Sequence, residues 1–201
     1  MTQSHGVADR LIRLRAYLRT IAPDGDPANL EGIPVLSLRI GLLTAQALDP
    51  FTSSSVQLKW PNDLYVEGRK LGGILIEARW RAERLDWVAI GFGLNVQPPA
   101  DLPAAGLIPA TTRYETLLAI VPALRTASAA RGPLTAAERD AFAVRDIARG
   151  RRCIEPVDGI VAGIDALGAL LVNAPSGQRA IRSGSLVLEP LIESSKQEVA
   201  S

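Results

Sequence analysis

The fold is decided by residues 56–80, VQLKWPNDLYVEGRKLGGILIEARW, where charged residues and paired glycines interrupt two apolar runs. The runs SVQLKW (55–60) and KLGGILIEAR (70–79) predict strands. Between them, PNDLYVEGR (61–69) is rich in turn-forming residues and predicts a turn. A third strand is predicted at RLDWVAIGFGLNV (84–96), so the three segments indicate an antiparallel meander.

The composition is that of a globular protein: 201 residues, 47% hydrophobic and 21% charged, enough for one domain and a small second one. The 22 Lys and Arg residues nearly balance the 21 Asp and Glu residues, so bulk charge does not favour polyanion binding. Cys153 is the only cysteine and His5 the only histidine, which excludes an intramolecular disulfide and argues against Ser-His-Asp or Cys-His catalysis. The first twenty residues hold no apolar run long enough for a secretory signal or a membrane span, so we expect a cytoplasmic protein without membrane contact.

Further elements are predicted on both sides of the meander. LIRLRAYLR (11–19) alternates large apolar residues with arginines, as a strand with one buried face does, and residues 21–32 are rich in helix breakers. We expect Pro122 to interrupt one helix, and Thr135 with Glu138 to form a capping box at the start of another. The 3.6-residue period predicts helices at 33–49, 113–129 and 135–149.

The sequence changes in character after residue 148, where short β segments alternate with turn signals. We therefore predict a first domain over residues 1–148, a small β-barrel over 149–191 and a frayed tail over 192–201. The predicted strands of the barrel are RCIEPV, GIVAGID, GALLVN, QRAIRS and SLVLEP.

Charged residues and glycines mark the meander as a place where a ligand could lie. Gly72 and Gly73 weaken a strand, and such glycines often accompany close approach by a ligand or another backbone. Lys70 beside them could neutralise a carboxylate or phosphate as a point charge, and Lys59 could serve a similar purpose. Asp63 could bind Mg²⁺ or accept a hydrogen bond from a substrate.

The third strand repeats this pattern, because Gly91, Gly93 and Asn95 share one face by the period of two. No third glycine stands at the required spacing and no helix follows, so the segment is not a dinucleotide-binding fingerprint. Trp60 precedes a proline and is predicted to be extended and to pack as a wall. Each signal alone also has a structural explanation, since such glycines and turn residues are common.

Four motifs taken together resemble the bacterial biotin protein ligases, or biotin–[acetyl-CoA-carboxylase] ligases. They occur in the order and spacing of that family: KWPNDL (59–64), KLGGILIE (70–77), IGFGLNV (90–96) and GIDALGALLV (163–172). The resemblance implies an α/β (α+β) catalytic domain, a mixed sheet with helices related to the class II aminoacyl-tRNA synthetases, followed by an SH3-like barrel. It also implies the ATP-dependent formation of biotinyl-AMP and transfer of biotin to a lysine of a biotin carboxyl carrier domain.

The same resemblance implies a role for each candidate residue. Lys70 matches the lysine that contacts the carboxyl and phosphate oxygens. Asp63 and Asn62 match the polar pair beside the adenylate and the metal, with Asp63 as the Mg²⁺ ligand. Lys59 and Trp60 match strand positions that flank them. The floor and edge of the biotin and ATP pocket are matched by Gly72, Gly73, Gly91, Gly93 and Asn95.

The sequence departs from the family upstream of its first predicted strand. Family members carry there a Gly/Arg-rich loop that closes over the adenylate, and residues that read the biotin ring, which have no counterpart here. We therefore expect ligation by this chain alone to be impaired, unless a dimer or a complementing N-terminal segment completes the site. The alternatives are a non-catalytic homologue that binds ligand or carrier, and a lipoyl or octanoyl ligase of the same superfamily. No helix-turn-helix is found, so DNA binding is not expected.

Overall fold

The computed structural model describes residues 11–18, 32–81, 84–97 and 103–190. Among these residues, three α-helices accompany two five-stranded sheets, which confirms the predicted α/β class. No helix of the described ranges is both long and apolar enough to cross a membrane. The breaker-rich segment before the first helix and the tail predicted from residue 192 lie outside the described residues.

In spatial order, the first sheet consists of β1 (Leu11–Leu18), β5 (Arg84–Asn95), β4 (Arg69–Arg81), β3 (Asp63–Val66) and β2 (Gln57–Lys59), and neighbouring strands are antiparallel. The strands predicted at 70–79 and 84–96 are neighbours in the sheet, as β4 and β5. The strand predicted at 55–60 pairs with β3 instead of with β4, so the meander has four strands, β2 to β5, rather than the three predicted. The register of β1 places Arg13 opposite Gly93 and Arg15 opposite Gly91.

The prediction of a continuous turn over residues 61–69 is wrong, because its middle part forms β3. Leu64 and Val66 are buried while Asp63 and Tyr65 are only half-buried, so DLYV alternates as a strand with one buried face does. Separate turns flank this strand, and the second contains Glu67 and Gly68 with φ of 50° and 73°. The turn-forming residues on both sides obscure the short alternation in the sequence.

One face of the first sheet is covered by helices. A Cβ at Gly41 of the first helix would lie 3.5 Å from Leu58 Cδ2 and 3.6 Å from Ile74 Cδ1, so this helix and the sheet are in close contact. The predicted capping box of Thr135 and Glu138 is confirmed at the start of the third helix. The helices are α1 (Gly32–Leu48), α2 (Arg113–Ala129) and α3 (Ala136–Arg145).

Two helix predictions need correction. The second helix runs unbroken through Pro122, since that residue lies on the exposed side while buried residues on the other side hold the helix against α1. The third helix ends at Arg145 rather than at residue 149. Asp146 leaves the helix to form a bridge with Leu58, and the N–H of Ile147 donates to the Leu58 carbonyl at 3.0 Å.

The second sheet has five strands in the spatial order 187–188, 152–155, 159–164, 170–174 and 177–181, and each predicted segment of the second domain overlaps one of them. Cys153 is fully buried in its core with Val161, Leu170 and Val172, as expected for a cysteine that acts as a small hydrophobe. The strands are β6 (Arg152–Glu155), β7 (Gly159–Ile164), β8 (Leu170–Ala174), β9 (Gly177–Ile181) and β10 (Val187–Leu188).

Candidate functional site

The face of the first sheet that points away from α1 collects most of the predicted site residues. Strand register places Lys59 opposite Asp63, and Gly73 opposite both Asp63 and Gly93. Because directly opposite residues share a face, these positions form one surface. We call it the site face and define it by Lys59, Asp63, Tyr65, Lys70, Gly73, Leu75, Gly91, Gly93 and Asn95.

A β-bulge turns Lys70 towards the site face. Strand β3 pairs with Lys70 and then with Gly72, so Leu71 has no partner of its own on β3. In a regular strand Lys70 and Gly73 would point to opposite faces, because they are an odd number of residues apart. The extra residue, Leu71, is fully buried and brings the two onto the same face. Bulges of this kind often re-aim a side chain beside an active site.

Lys70 of β4 and Asp63 of β3 form an ion pair between these neighbouring strands. Lys70 Nζ lies 2.7 Å from Asp63 Oδ1. The side chain of Lys70 is 52% exposed and that of Asp63 is 22% exposed, so the ammonium group still has an open side. An exposed ion pair contributes little to stability. The main effect of this pair is therefore to hold the Lys70 ammonium group in a fixed position.

Hydrogen bonds fix the backbone on both sides of this ion pair. Asn62 Nδ2 donates to the Ile74 carbonyl at 2.6 Å, and the Ile74 N–H donates to the Asn62 carbonyl at 2.9 Å. The carbonyl of Lys70 accepts from the Ala105 N–H at 3.0 Å and from Asn95 Nδ2 at 3.4 Å. Both predicted asparagines therefore hold the strands that carry the charged residues.

The two adjacent glycines of β4 have different functions in the structure. A Cβ at Gly73 would lie 3.1 Å from Asp63 Oδ1 and 3.7 Å from Lys70 Cε, directly against the ion pair. A Cβ at Gly72 would lie 2.4 Å from the Gly93 carbonyl oxygen, which is backbone and cannot turn aside. The structure thus places Gly72 on the core face, where the sheet itself requires it, and only Gly73 keeps space free on the site face.

Trp60 is also placed in the core rather than on the site face. Its side chain is 2% exposed, and its Nε1–H donates to the carbonyl of Gly168 in the second domain at 3.0 Å. Lys59, next to it, lies on the site face with Nζ 6.0 Å from the centre of the Tyr65 ring. That distance is at the outer limit of a cation–π contact.

Two residues of the site face, Tyr65 and Leu75, were not among the residues predicted from the sequence. Burial raises the pKa of the Tyr65 phenol, and the neighbouring charge of Asp63 raises it further. Leu75 is 59% exposed and lies opposite Gly91, so the site face carries an apolar surface beside its charges. Alternate residues of a strand share a face, so Tyr65 follows from the position of Asp63, and Leu75 from that of Gly73.

Asp63 is suited to be a single protein ligand for Mg²⁺. Within the described ranges, no group of three or more His, Cys, Asp or Glu side chains is arranged to hold a metal ion. Mg²⁺ in nucleotide sites is usually held by one or two carboxylates, with phosphates and water supplying the remaining ligands. The Asp63 carboxylate, next to the Lys70 ammonium group, is a ligand of this kind.

Two known protein families match this chain, one in each of its two sheets. Residues 18–95, which contain four of the five strands of the first sheet, match the Biotin/lipoate A/B protein ligase family. Residues 154–188, in the second sheet, match the Biotin protein ligase C terminal domain.

Curated relatives match over ranges of different length. The biotin–[acetyl-CoA-carboxylase] ligase of Paracoccus denitrificans is 30% identical over 166 residues, which cover 71% of this chain and 67% of that protein. The bifunctional ligase/repressor BirA of Escherichia coli is 43% identical over 61 residues, 30% of this chain and 19% of that protein. The match to the BirA proteins of Escherichia coli, Salmonella typhimurium and Bacillus subtilis thus spans about a fifth of their length.

Solved structures show the same fold. The biotin protein ligase from Aquifex aeolicus aligns with a TM-score of 0.69 at 22% identity, over 89% of this chain and 83% of that chain. The same protein in complex with biotin and ATP aligns with a TM-score of 0.65 at 21% identity, over 89% of this chain and 78% of that chain. An α/β domain followed by a small SH3-like domain, as the resemblance implied, is thereby confirmed.

Proposed function

The chain belongs to the biotin protein ligase family, and we propose that it joins biotin to ATP as biotinyl-AMP and then passes biotin to a lysine of a biotin carboxyl carrier domain. The observation that carries this proposal is the ion pair of Lys70 with Asp63, held at the edge of an open, glycine-lined sheet face. Fixed positive charge beside glycines, which carry no side chains, suits a flat molecule with an anionic end.

The first step brings two anions together. A carboxylate oxygen of biotin attacks the α-phosphorus of ATP, an O–P bond forms, and pyrophosphate leaves. The barrier falls when positive charge is already positioned where these negative groups meet. Lys70 supplies such a charge, since its ammonium group is anchored by Asp63 on one side and open on the other.

The glycines and Leu75 provide the surface on which the substrate would lie. Gly91 and Gly93 follow one another along the site face of β5, and Gly73 lies opposite Gly93. Without side chains at these positions, a ring system can approach the backbone closely. Exposed Leu75 offers it an apolar contact.

In the second step the amine of the carrier lysine attacks the acyl carbon and AMP leaves with its phosphate charge. Lys70 is then beside the leaving phosphate, so the same cation serves both steps. Mg²⁺ bound with ATP would neutralise further phosphate charge, and Asp63 is the residue that would hold it.

The choice of biotin over lipoate rests on the second domain, because the family matched by the first domain includes both kinds of ligase. Residues 154–188 match a domain named for the biotin protein ligases. The KWPND motif at residues 59–63 also resembles the biotin branch.

A ligation assay tests the proposal. The full chain is incubated with ATP, Mg²⁺, an apo carrier domain and either biotin or lipoate, and the carrier is weighed by mass spectrometry. We expect the carrier to gain biotin, although more slowly than with the ligases that this chain resembles. Lys70→Ala should abolish the gain and Arg69→Ala should preserve it. Arg69 is a suitable control, as its side chain is 57% exposed and lies 3.8 Å from Glu67. Equal modification by Lys70→Ala, or none that depends on biotin, contradicts the proposal, and a preference for lipoate selects the alternative.

A further inference from the structure

A turn of the second domain reaches into the first domain behind the site. This turn, residues 165–169, connects β7 to β8. The indole of Trp60 donates to the Gly168 carbonyl at 3.0 Å. The Leu134 N–H donates to the Ala166 carbonyl at 2.8 Å, so the turn is hydrogen-bonded to the first domain at two points.

The side chain of Asp165 holds the shape of this turn. Its Oδ1 accepts from the N–H groups of Leu167 at 2.9 Å and Ala169 at 2.8 Å, and the Asp165 N–H donates to the Ala169 carbonyl at 2.9 Å. Gly168 has φ +81°, and a Cβ there would lie 3.1 Å from a side chain of α1. Only glycine satisfies both conditions readily. The carbonyl that Trp60 contacts is therefore presented by a well-fixed turn.

On the other side of Trp60 the chain leads directly to the ion pair. The carbonyl of Pro61 accepts from Ser37 Oγ at 3.1 Å, and Asn62 is hydrogen-bonded to Ile74 through both its side chain and its backbone. Asp63 follows, with its carboxylate 2.7 Å from the Lys70 ammonium. Segment 60–63 is thus held at its start by the second domain and at its end by β4.

We infer that the 165–169 turn sets the position of Asp63, and through it that of Lys70, so that Asp165 and Trp60 are positioning residues of the site. A buried indole N–H that loses its acceptor is unfavourable, and Trp60 would then shift together with the segment that carries Asp63. The inference rests on the proposed function only in treating Asp63 and Lys70 as the ligand-binding pair.

Hydrogen–deuterium exchange of the full chain, measured by mass spectrometry without ligand, tests this inference. In Asp165→Ala and Trp60→Phe we expect the amides of residues 61–66 to exchange about fivefold faster, as one lost hydrogen bond predicts for local opening. Asp165→Asn keeps an Oδ1 acceptor and should restore the slow exchange. Val172→Ala trims the core of the second domain outside the turn and serves as the control for general destabilisation.

In the ligation assay, Asp165→Ala should lower kcat more than it raises KM, and Asp165→Asn should recover most of the loss. Unchanged exchange at residues 61–66 in Asp165→Ala overturns the inference, and so does an equal acceleration in Val172→Ala. Because exchange is measured without ligand, a chain that fails to bind biotin would overturn the proposed function and leave this result standing.

Discussion

Gly72 and Gly73 show how a difference of one position separates a structural requirement from a functional one. Successive residues of a strand point to opposite faces, so only one of two adjacent glycines can lie beside a ligand. Gly73 has the Asp63 carboxylate and the Lys70 side chain next to it, whereas Gly72 has the backbone of β5. The same substitution at the two positions should therefore have different consequences.

We predict that Gly73→Ala weakens binding of a stable biotinyl-adenylate analogue by roughly tenfold or more, about 1.4 kcal/mol, because its methyl group displaces Asp63. The free energy of unfolding should change little, since alanine is acceptable in a strand. Gly72→Ala should instead lower the free energy of unfolding by about 1–3 kcal/mol, because its methyl group overlaps a backbone oxygen. Urea denaturation and calorimetric titration of both variants separate the two effects. Equal losses of stability would contradict this account.

Much of the site could be predicted from residue types at this scale. Lys70, Asp63 and Gly73 were recognisable because charge and glycine are unusual in a strand that otherwise builds a core. Once the strands are known, their alternation distinguishes Gly73 from Gly72 and adds Tyr65 and Leu75 to the site face. The burial of Trp60 does not, because an aromatic residue beside a proline can form a wall or a core equally well.

At the scale of elements, the bulge in β4 decides which face Lys70 occupies. A regular strand through residues 69–81 would send Lys70 and Gly73 to opposite faces. Nothing in the run KLGG distinguishes a bulge from a regular strand, since Leu71 and Gly72 are both compatible with the core. The short strand β3 is likewise hidden among turn-forming residues. Sequence patterns therefore predicted β4 and β5 as neighbours, but neither the inserted strand β3 nor the register that assembles the site.

Helix α3 carries a capping box that is also tied to α1, and this makes a matched comparison possible. Glu138 closes the box with Thr135 and forms an ion pair with the buried Arg39, at 2.5 Å and 3.2 Å. The hydrogen bond from Arg39 lowers the pKa of Glu138 to about 2. Glu115 closes an equivalent capping box on α2, where it accepts hydrogen bonds from Thr112 on the protein surface rather than from a buried arginine.

We predict that Glu138→Gln costs on the order of 3 kcal/mol of unfolding free energy at neutral pH, because it leaves the Arg39 guanidinium buried without a counter-charge. Glu115→Gln should cost much less, since the box can keep its hydrogen bonds on an exposed surface. Urea denaturation of both variants gives the comparison. Similar costs would mean that the contact of α3 with α1 does not depend on this charge.

At the scale of the whole molecule, the packing of the two domains depends on contacts between residues far apart in the sequence. Trp60 and Gly168 are 108 positions apart, and Leu58 pairs with Asp146 at the end of α3. No periodicity or motif indicates such contacts in a single sequence. Composition could predict that a second small domain follows residue 148, but not that one of its turns packs behind the site.

Asp146 makes this junction sensitive to pH. One of its oxygens accepts from the Ala148 N–H at 2.9 Å, while Oδ2 is buried without a hydrogen-bond partner in the described part of the chain. It lines a cavity of about 170 Å³ between α3 and β7, together with Arg139, Asp140 and Arg149. Burial raises the pKa of Asp146 from 3.8 to about 6.

Between pH 3.8 and about 6, the folded chain therefore binds more protons at Asp146 than the unfolded chain does. Stability from this group is fully present below that range and is lost as pH rises through it, by on the order of 3 kcal/mol. We predict that Asp146→Asn removes this decline and is more stable than the wild type at pH 8. Thermal denaturation at pH 4.5, 6 and 8 measures it. If the stability of the wild type and that of Asp146→Asn changed with pH in parallel, Asp146 would not be desolvated.

The central claim is that the site face binds biotin and nucleotide through Lys70, and calorimetric titration of a non-hydrolysable biotinyl-adenylate analogue tests it most directly. We predict measurable binding to the wild type, unchanged binding to Arg69→Ala and a loss of at least about a hundredfold, or about 2.7 kcal/mol, in Lys70→Ala. Circular dichroism should show the three proteins equally folded, because Lys70 is half exposed. Equal affinity of Lys70→Ala and the wild type for the analogue would contradict the account.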